Sequence, residues 1–132
     1  MMNMRVGDYI IVNGEVVKIT RYEVEFQGRM ILVDGKEPNI EINNKVLHAS
    51  GFIKIDNSAI YRCVLKKDSA GNEICSVIYN LDRYICEIIM SIGAHTDFSK
   101  EVRVLSELQD FVRDKTGKEL PVKVEELAAI FK

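Results

Sequence analysis

A chain of 132 residues with 47% hydrophobic side chains can build one ordinary domain, or one domain of two small layers, and has no room for a second full-sized core. Its 18 Lys and Arg against 20 Asp and Glu leave a formal net charge of −2 with both signs interspersed, which removes the global attraction to phosphate backbones or anionic membranes. No run approaches the roughly 18–20 apolar residues of a membrane-spanning helix, and "MMNMRVGDYIIVNG" meets a charge and a turn too early for a secretory leader, so a cytoplasmic protein is expected.

The first element is "RVGDYIIVNGEVVKIT", in which Asn13-Gly14 supplies the positive φ angles of a type I′ turn between two β-rich runs. A two-residue loop sets Val12 opposite Glu15 and Ile10 opposite Val17, with apolar residues on both faces near the turn. "YEVEF", Gln27-Gly28, "RMILV" and Asp34-Gly35 then repeat the theme, so residues 1–40 predict an SH3-like set of short antiparallel strands. Pro38 and Asn39 break that pattern. In "NIEINNKVLHASGF", Asn43 or Asn44 can cap a short helix through Ala49, and Gly51 stands where a terminator belongs.

Three β-rich runs follow, "AIYRCVLKK", "EICSVIYN" and "RYICEIIMSI". Alternation gathers Tyr61, Cys63, Leu65, Cys75, Val77, Tyr79, Tyr84, Cys86, Ile88 and Met90 on one face of a three-stranded meander, with Cys63 set opposite Cys75 and Val77 opposite Cys86. This makes Cys63, Cys75 and Cys86 small core residues, and their spacings match no zinc motif. No metal or cofactor is therefore expected. The opposite face mixes Arg62, Lys66, Ser76 and Glu87 with Ile60, Val64, Ile74, Ile78, Ile85 and Ile89, which predicts partial cover. "GAHTDFSKE" reads as a loop.

The spacing of Val104, Leu105, Leu108, Phe111 and Val112 predicts an amphipathic helix over about 103–116, with Arg103, Glu107, Asp110, Arg113 and Asp114 on its polar face. Thr116-Gly117 ends it and Lys115 lies near the negative end of its dipole. "ELPVKV" is extended and "EELAAIFK" predicts a short closing helix. The whole is expected to be a single compact α+β domain, 1–132. Residues 1–40 form the barrel-like strands, and 41–132 the linking helix, the meander and the C-terminal helices, the first of them covering the meander's apolar face.

The N-terminal "RVGDYIIVNGEVVKI", the middle "INNKVLHASGF" and the C-terminal "VLSELQDFVRDKTGKEL" occur in an order that resembles a group of small proteins of Bacteroides-type phages and mobile elements. The matching residues are Arg5, Gly7, Asp8, Tyr9, Leu47, Gly51, Phe52, Leu108, Gln109, Thr116, Gly117, Glu119 and Leu120. Ser106 stands where the group usually has His, and Asp110 where it has Asn, so a catalytic role for that His would be absent here. The resemblance implies a phage or mobile-element setting and brings no mechanism with it.

Catalytic patterns are sparse. His95-Thr96-Asp97 with Ser99 has the residue types of a hydrolase triad, but a triad is assembled from separated segments in fixed geometry. His48 on the short helix reads as a satisfied surface or core histidine. "TGKEL" follows a helix rather than opening one, so its Gly-Lys offers no amides to a phosphate. The expected function is a non-enzymatic protein-interaction module, an accessory protein that binds a protein partner through an exposed sheet edge or the polar helix face. The alternative is nucleic-acid binding by the barrel-like segment, which the net charge disfavours. The candidate interaction residues are Arg5, Tyr9, Lys18, Arg21, Tyr22 and Gln109.

Overall fold

The computed structural model describes residues 7–12, 15–18, 40–90 and 96–131. In chain order these form strands β1 (Tyr9–Val12) and β2 (Glu15–Lys18), helix α1 (Asn44–Ala49), and strands β3 (Ile53–Lys54), β4 (Ile60–Lys67), β5 (Glu73–Asn80), β6 (Ile85–Ile89) and β7 (Phe98–Glu101). Helices α2 (Leu105–Thr116) and α3 (Val124–Ile130) follow. Strands β1 and β2 make a two-stranded sheet, and β3 to β7 make a second, five-stranded antiparallel sheet in simple sequence order. The class is α+β, as expected. Among the described residues there is no closed barrel, and the strands expected within 22–33 lie outside them.

The first hairpin has the expected register, Val12 opposite Glu15 and Ile10 opposite Val17. In the large sheet the three expected strands are present, but Cys63 pairs with Val77 and Tyr79 with Cys86. The expected pairing is thus corrected by a slide of two residues. Because side chains alternate with a period of two, that slide leaves the residues on their assigned faces up to Val64, beyond which the pairing shifts and Lys66 stands opposite Cys75. Tyr61, Cys63, Cys75, Val77, Tyr79, Cys86 and Ile88 are all buried, whereas Met90, placed with them by alternation, lies beyond the end of β6 and is exposed. An irregularity in pairing around Leu65 bends the far end of β4.

The expected meander also gains an edge on each side. β3 pairs through Ile53–Lys54 with Tyr61–Arg62, and β7, expected as loop, pairs with β6 from Ile85–Glu101 to Ile88–Phe98. Every residue of β7 is exposed. An edge strand that buries nothing carries no apolar alternation, so no pattern marks it in the sequence.

One face of this sheet is covered by helices. Leu105, Leu108, Phe111 and Val112 from α2, Val46, Leu47 and Ala49 from α1, and Leu127 from α3 join Val77, Tyr79, Cys86 and Ile88 in one core. Tyr79 is fully buried and its hydroxyl donates to the Val102 carbonyl at 2.5 Å, so its polar tip does not oppose burial. The α2 amide of Leu105 donates to the Ile40 carbonyl at 2.8 Å, which satisfies one of the orphan donors of a helix whose first residue has no side-chain cap. The hairpin β1–β2 packs on α2 and α3. Its Tyr9 belongs to the same core, and Ile11 and Val16 pack against it.

Short α1 is held at both ends. Asn43 Oδ1 accepts from the Val46 amide at 2.9 Å; at the other end the Gly51 amide donates to the His48 carbonyl (3.1 Å) and the Phe52 amide to the Leu47 carbonyl (3.0 Å). This paired closure places buried Phe52 against buried Leu47 and requires φ of 91° at Gly51. A Cβ there would also lie 2.5 Å from Pro121 Cγ. Gly51→Ala is therefore expected to cost roughly 2–4 kcal/mol, read as a lower urea midpoint with an unchanged denaturant slope.

Candidate functional site

Gly7, Asp8, Tyr9, Gln109, Arg113 and Glu119 come together where β1 meets α2. Gln109 Oε1 accepts from the Tyr9 amide at 2.8 Å while its Nε2 donates to the Gly7 carbonyl at 3.1 Å. The side-chain amide thus meets the backbone at the start of β1 as a neighbouring strand would, and it is 2% exposed. One turn further along α2, the Arg113 guanidinium gathers three carboxylates. It donates to Asp110 Oδ1 at 3.0 Å and Asp8 Oδ1 at 3.3 Å, and makes a fork to Glu119 at 2.6 and 3.0 Å.

Asp8 is wholly buried, so a charge there demands a cation and oriented donors. Glu119's hydrogen bond is the main cause holding the Arg113 guanidinium above its ordinary range; burial opposes it, and the charges of Glu119, Asp8 and Asp110 assist. Gly7 is what allows the approach, since a Cβ on it would lie 3.0 Å from Arg113 Nη2. Chemically this is a permanently charged clamp with its carboxylates engaged, not a poised acid–base pair.

Of the expected interaction residues, Tyr9, Lys18 and Gln109 line one cleft of about 270 Å3 with Gly7, Glu119 and Leu120. Arg5, Arg21 and Tyr22 lie outside the described residues. Tyr9 is 9% exposed and Lys18 Nζ stands 5.9 Å from its ring centroid, so the ring presents no open face for stacking a base. Asp110, expected on the polar face of the helix, and Gln109, beside the apolar stripe, are both buried because the hairpin covers that side.

The triad-like loop does other work. Thr96 donates to Glu87, and Asp97 Oδ2 accepts from the Met90 amide at 2.6 Å, so both tie the β6–β7 connection to its own strand; His95 lies outside the described residues. His48 is exposed on α1 beside a groove shared with α3. Among the described residues no group of three or more His, Cys, Asp or Glu could hold a metal ion.

Cys63, Cys75 and Cys86 are free and buried. Burial pushes the Cys63 thiol up to about 11, with Cys75 adding to it, and the Cys86 thiol up to about 12, with Glu87 adding to it. Neutral thiols in an apolar setting are poor nucleophiles. Above pH 9 the unfolded thiols ionise while the folded ones keep their protons, so the folded state binds more protons and stability falls as pH rises through about 9–12. Urea midpoints at about pH 8 and pH 10 should show that loss, and Cys86→Ala should flatten it.

A second concavity lies where β3 ends. It measures about 590 Å3 and is lined by Ile53, Ile55, Val64, Leu65, Lys66 and Lys67, with Gly51, Arg62 and Glu73 completing it. Ile53 is 72% exposed and Ile55 36%, so two aliphatic side chains meet solvent side by side at this groove. Because β3 covers β4 only as far as Arg62, no described strand pairs with the outer edge of β4 from Cys63 onward. Ile55's amide donates to Ile60's carbonyl, which fixes the alternation and turns the Val64 backbone groups toward that open edge. Nothing in the sequence marks Ile53 apart from any other strand isoleucine. Its exposure follows from β3 being two residues long.

Comparisons with protein-family models, curated proteins and solved structures find no match. Among the described residues no helix is long and apolar enough to cross a membrane.

Proposed function

We propose that the protein is a non-enzymatic interaction module, an accessory protein of a phage or mobile element, that docks a protein partner at the β3–β4 groove. The observation that carries this reading is the exposed Ile53 beside a strand edge that no described strand covers, a combination that an isolated globular protein tends to bury or blunt. The engaged carboxylates of the clamp and the buried thiols support a role without chemistry. The mobile-element setting rests on the resemblance carried by Gly7, Asp8, Tyr9, Gln109, Glu119 and their companions.

Selection of random peptides displayed on a surface tests the docking site. Binders should be enriched on the wild-type protein and lost on Ile53→Asp, which lies on an exposed edge and should fold normally. Peptides that bind both proteins equally, or no enrichment at all, would remove the reading.

A further inference from the structure

Resting on that docking site, we infer that its partner is an extended acidic segment with alternating aliphatic residues, which lies along the outer edge of β4. Charge singles out this occupant. Lys66 and Lys67 are exposed at one end of the groove, and the groove's one acid, Glu73, is engaged by Arg62. A segment whose aliphatic side chain meets Ile53, Ile55 and Val64 therefore finds its flanking carboxylates beside two lysines. The Val64 backbone groups, which pair with no described strand on that side, supply the main-chain hydrogen bonds of strand addition at the point where β3 leaves off. The irregularity around Leu65 limits the added pairing to a short segment.

The same lysines argue against a second copy of the chain as occupant. Edge-to-edge pairing of two β4 strands would bring the lysine-rich ends of two like-charged grooves to one interface, the arrangement by which exposed edges resist self-association. An acidic strand meets attraction where a copy of this chain meets repulsion.

Fluorescence anisotropy with three labelled hexapeptides decides the matter: alternating Glu-Ile, alternating Lys-Ile and alternating Ser-Ile. The acidic peptide should bind wild type at least about tenfold more tightly than the other two, and more weakly in about 300 mM salt than in about 50 mM. Lys66→Glu with Lys67→Glu should invert the preference, and Ile53→Asp should abolish binding of all three. Equal binding of the serine peptide, or preference for the lysine peptide, overturns the acidic assignment while the docking site stands if display selection yields Ile53-dependent binders. Binding of none of the three overturns it as well. Concentration-dependent dimerisation that Ile53→Asp removes would assign the groove to a second copy instead.

Discussion

Arg113→Met is expected to destabilise the protein by about 3–5 kcal/mol, because it takes the guanidinium from a wholly buried Asp8 and from Asp110 while leaving both carboxylates in place. Methionine fills much of the same volume, so the loss reports charge rather than a cavity. Arg113→Lys should recover only part of it. An ammonium cannot make the fork to Glu119 and also reach Asp8 and Asp110 with the guanidinium's planar geometry. Adding Asp8→Asn to Arg113→Met should restore stability relative to the single variant, since no buried carboxylate then remains at position 8. Equilibrium urea unfolding measures all four proteins. An Arg113→Met variant within about 0.5 kcal/mol of wild type would show that the clamp contributes nothing net.

Leu108→Ala should cost roughly 2–5 kcal/mol, since Leu108 is fully buried in the core that α2 shares with the large sheet. Its neighbour gives a contrast. Gln109→Ala should cost about 1–3 kcal/mol, because it strips the Tyr9 amide of a buried acceptor. The two losses should also differ in where they are felt. Amide exchange after Leu108→Ala should accelerate across β5 and β6, whereas after Gln109→Ala the acceleration should concentrate in β1. Uniform acceleration from both variants would mean that hairpin and sheet open as one unit.

That contrast also separates what could be read from the sequence from what could not. The stripe of Leu105, Leu108, Phe111 and Val112 and the caps at Asn43 and Gly51 are local patterns, and each is realised. The hairpin register is local too, being set by the two-residue spacing between Val12 and Glu15. The sheet's buried face was legible by alternation even though its register was not, because pairings that differ by two residues leave the same side chains inside. Gln109 and Asp110 could not be read as buried. Their cover comes from residues about a hundred positions away, and no local periodicity encodes that contact. The short strands at the sheet's edges were equally silent. β3 has two residues and β7 buries none of its four, so the groove beside Ile53 emerges only when the sheet is assembled.

The bond from Gln109 to the Tyr9 amide spans 100 residues. On a ribosome adding about 5–20 residues each second, the hairpin would emerge some 5–20 s before the helix that holds it. During that interval the buried surface of Tyr9 and Ile10 and the carboxylate of Asp8 have no docking face, so the hairpin must wait, solvated or guarded by other factors. Completion of α2 and α3 is thus what closes the molecule. A nascent chain halted before position 105 should remain open to protease within Tyr9–Val12 and Glu15–Lys18, and the full chain should not.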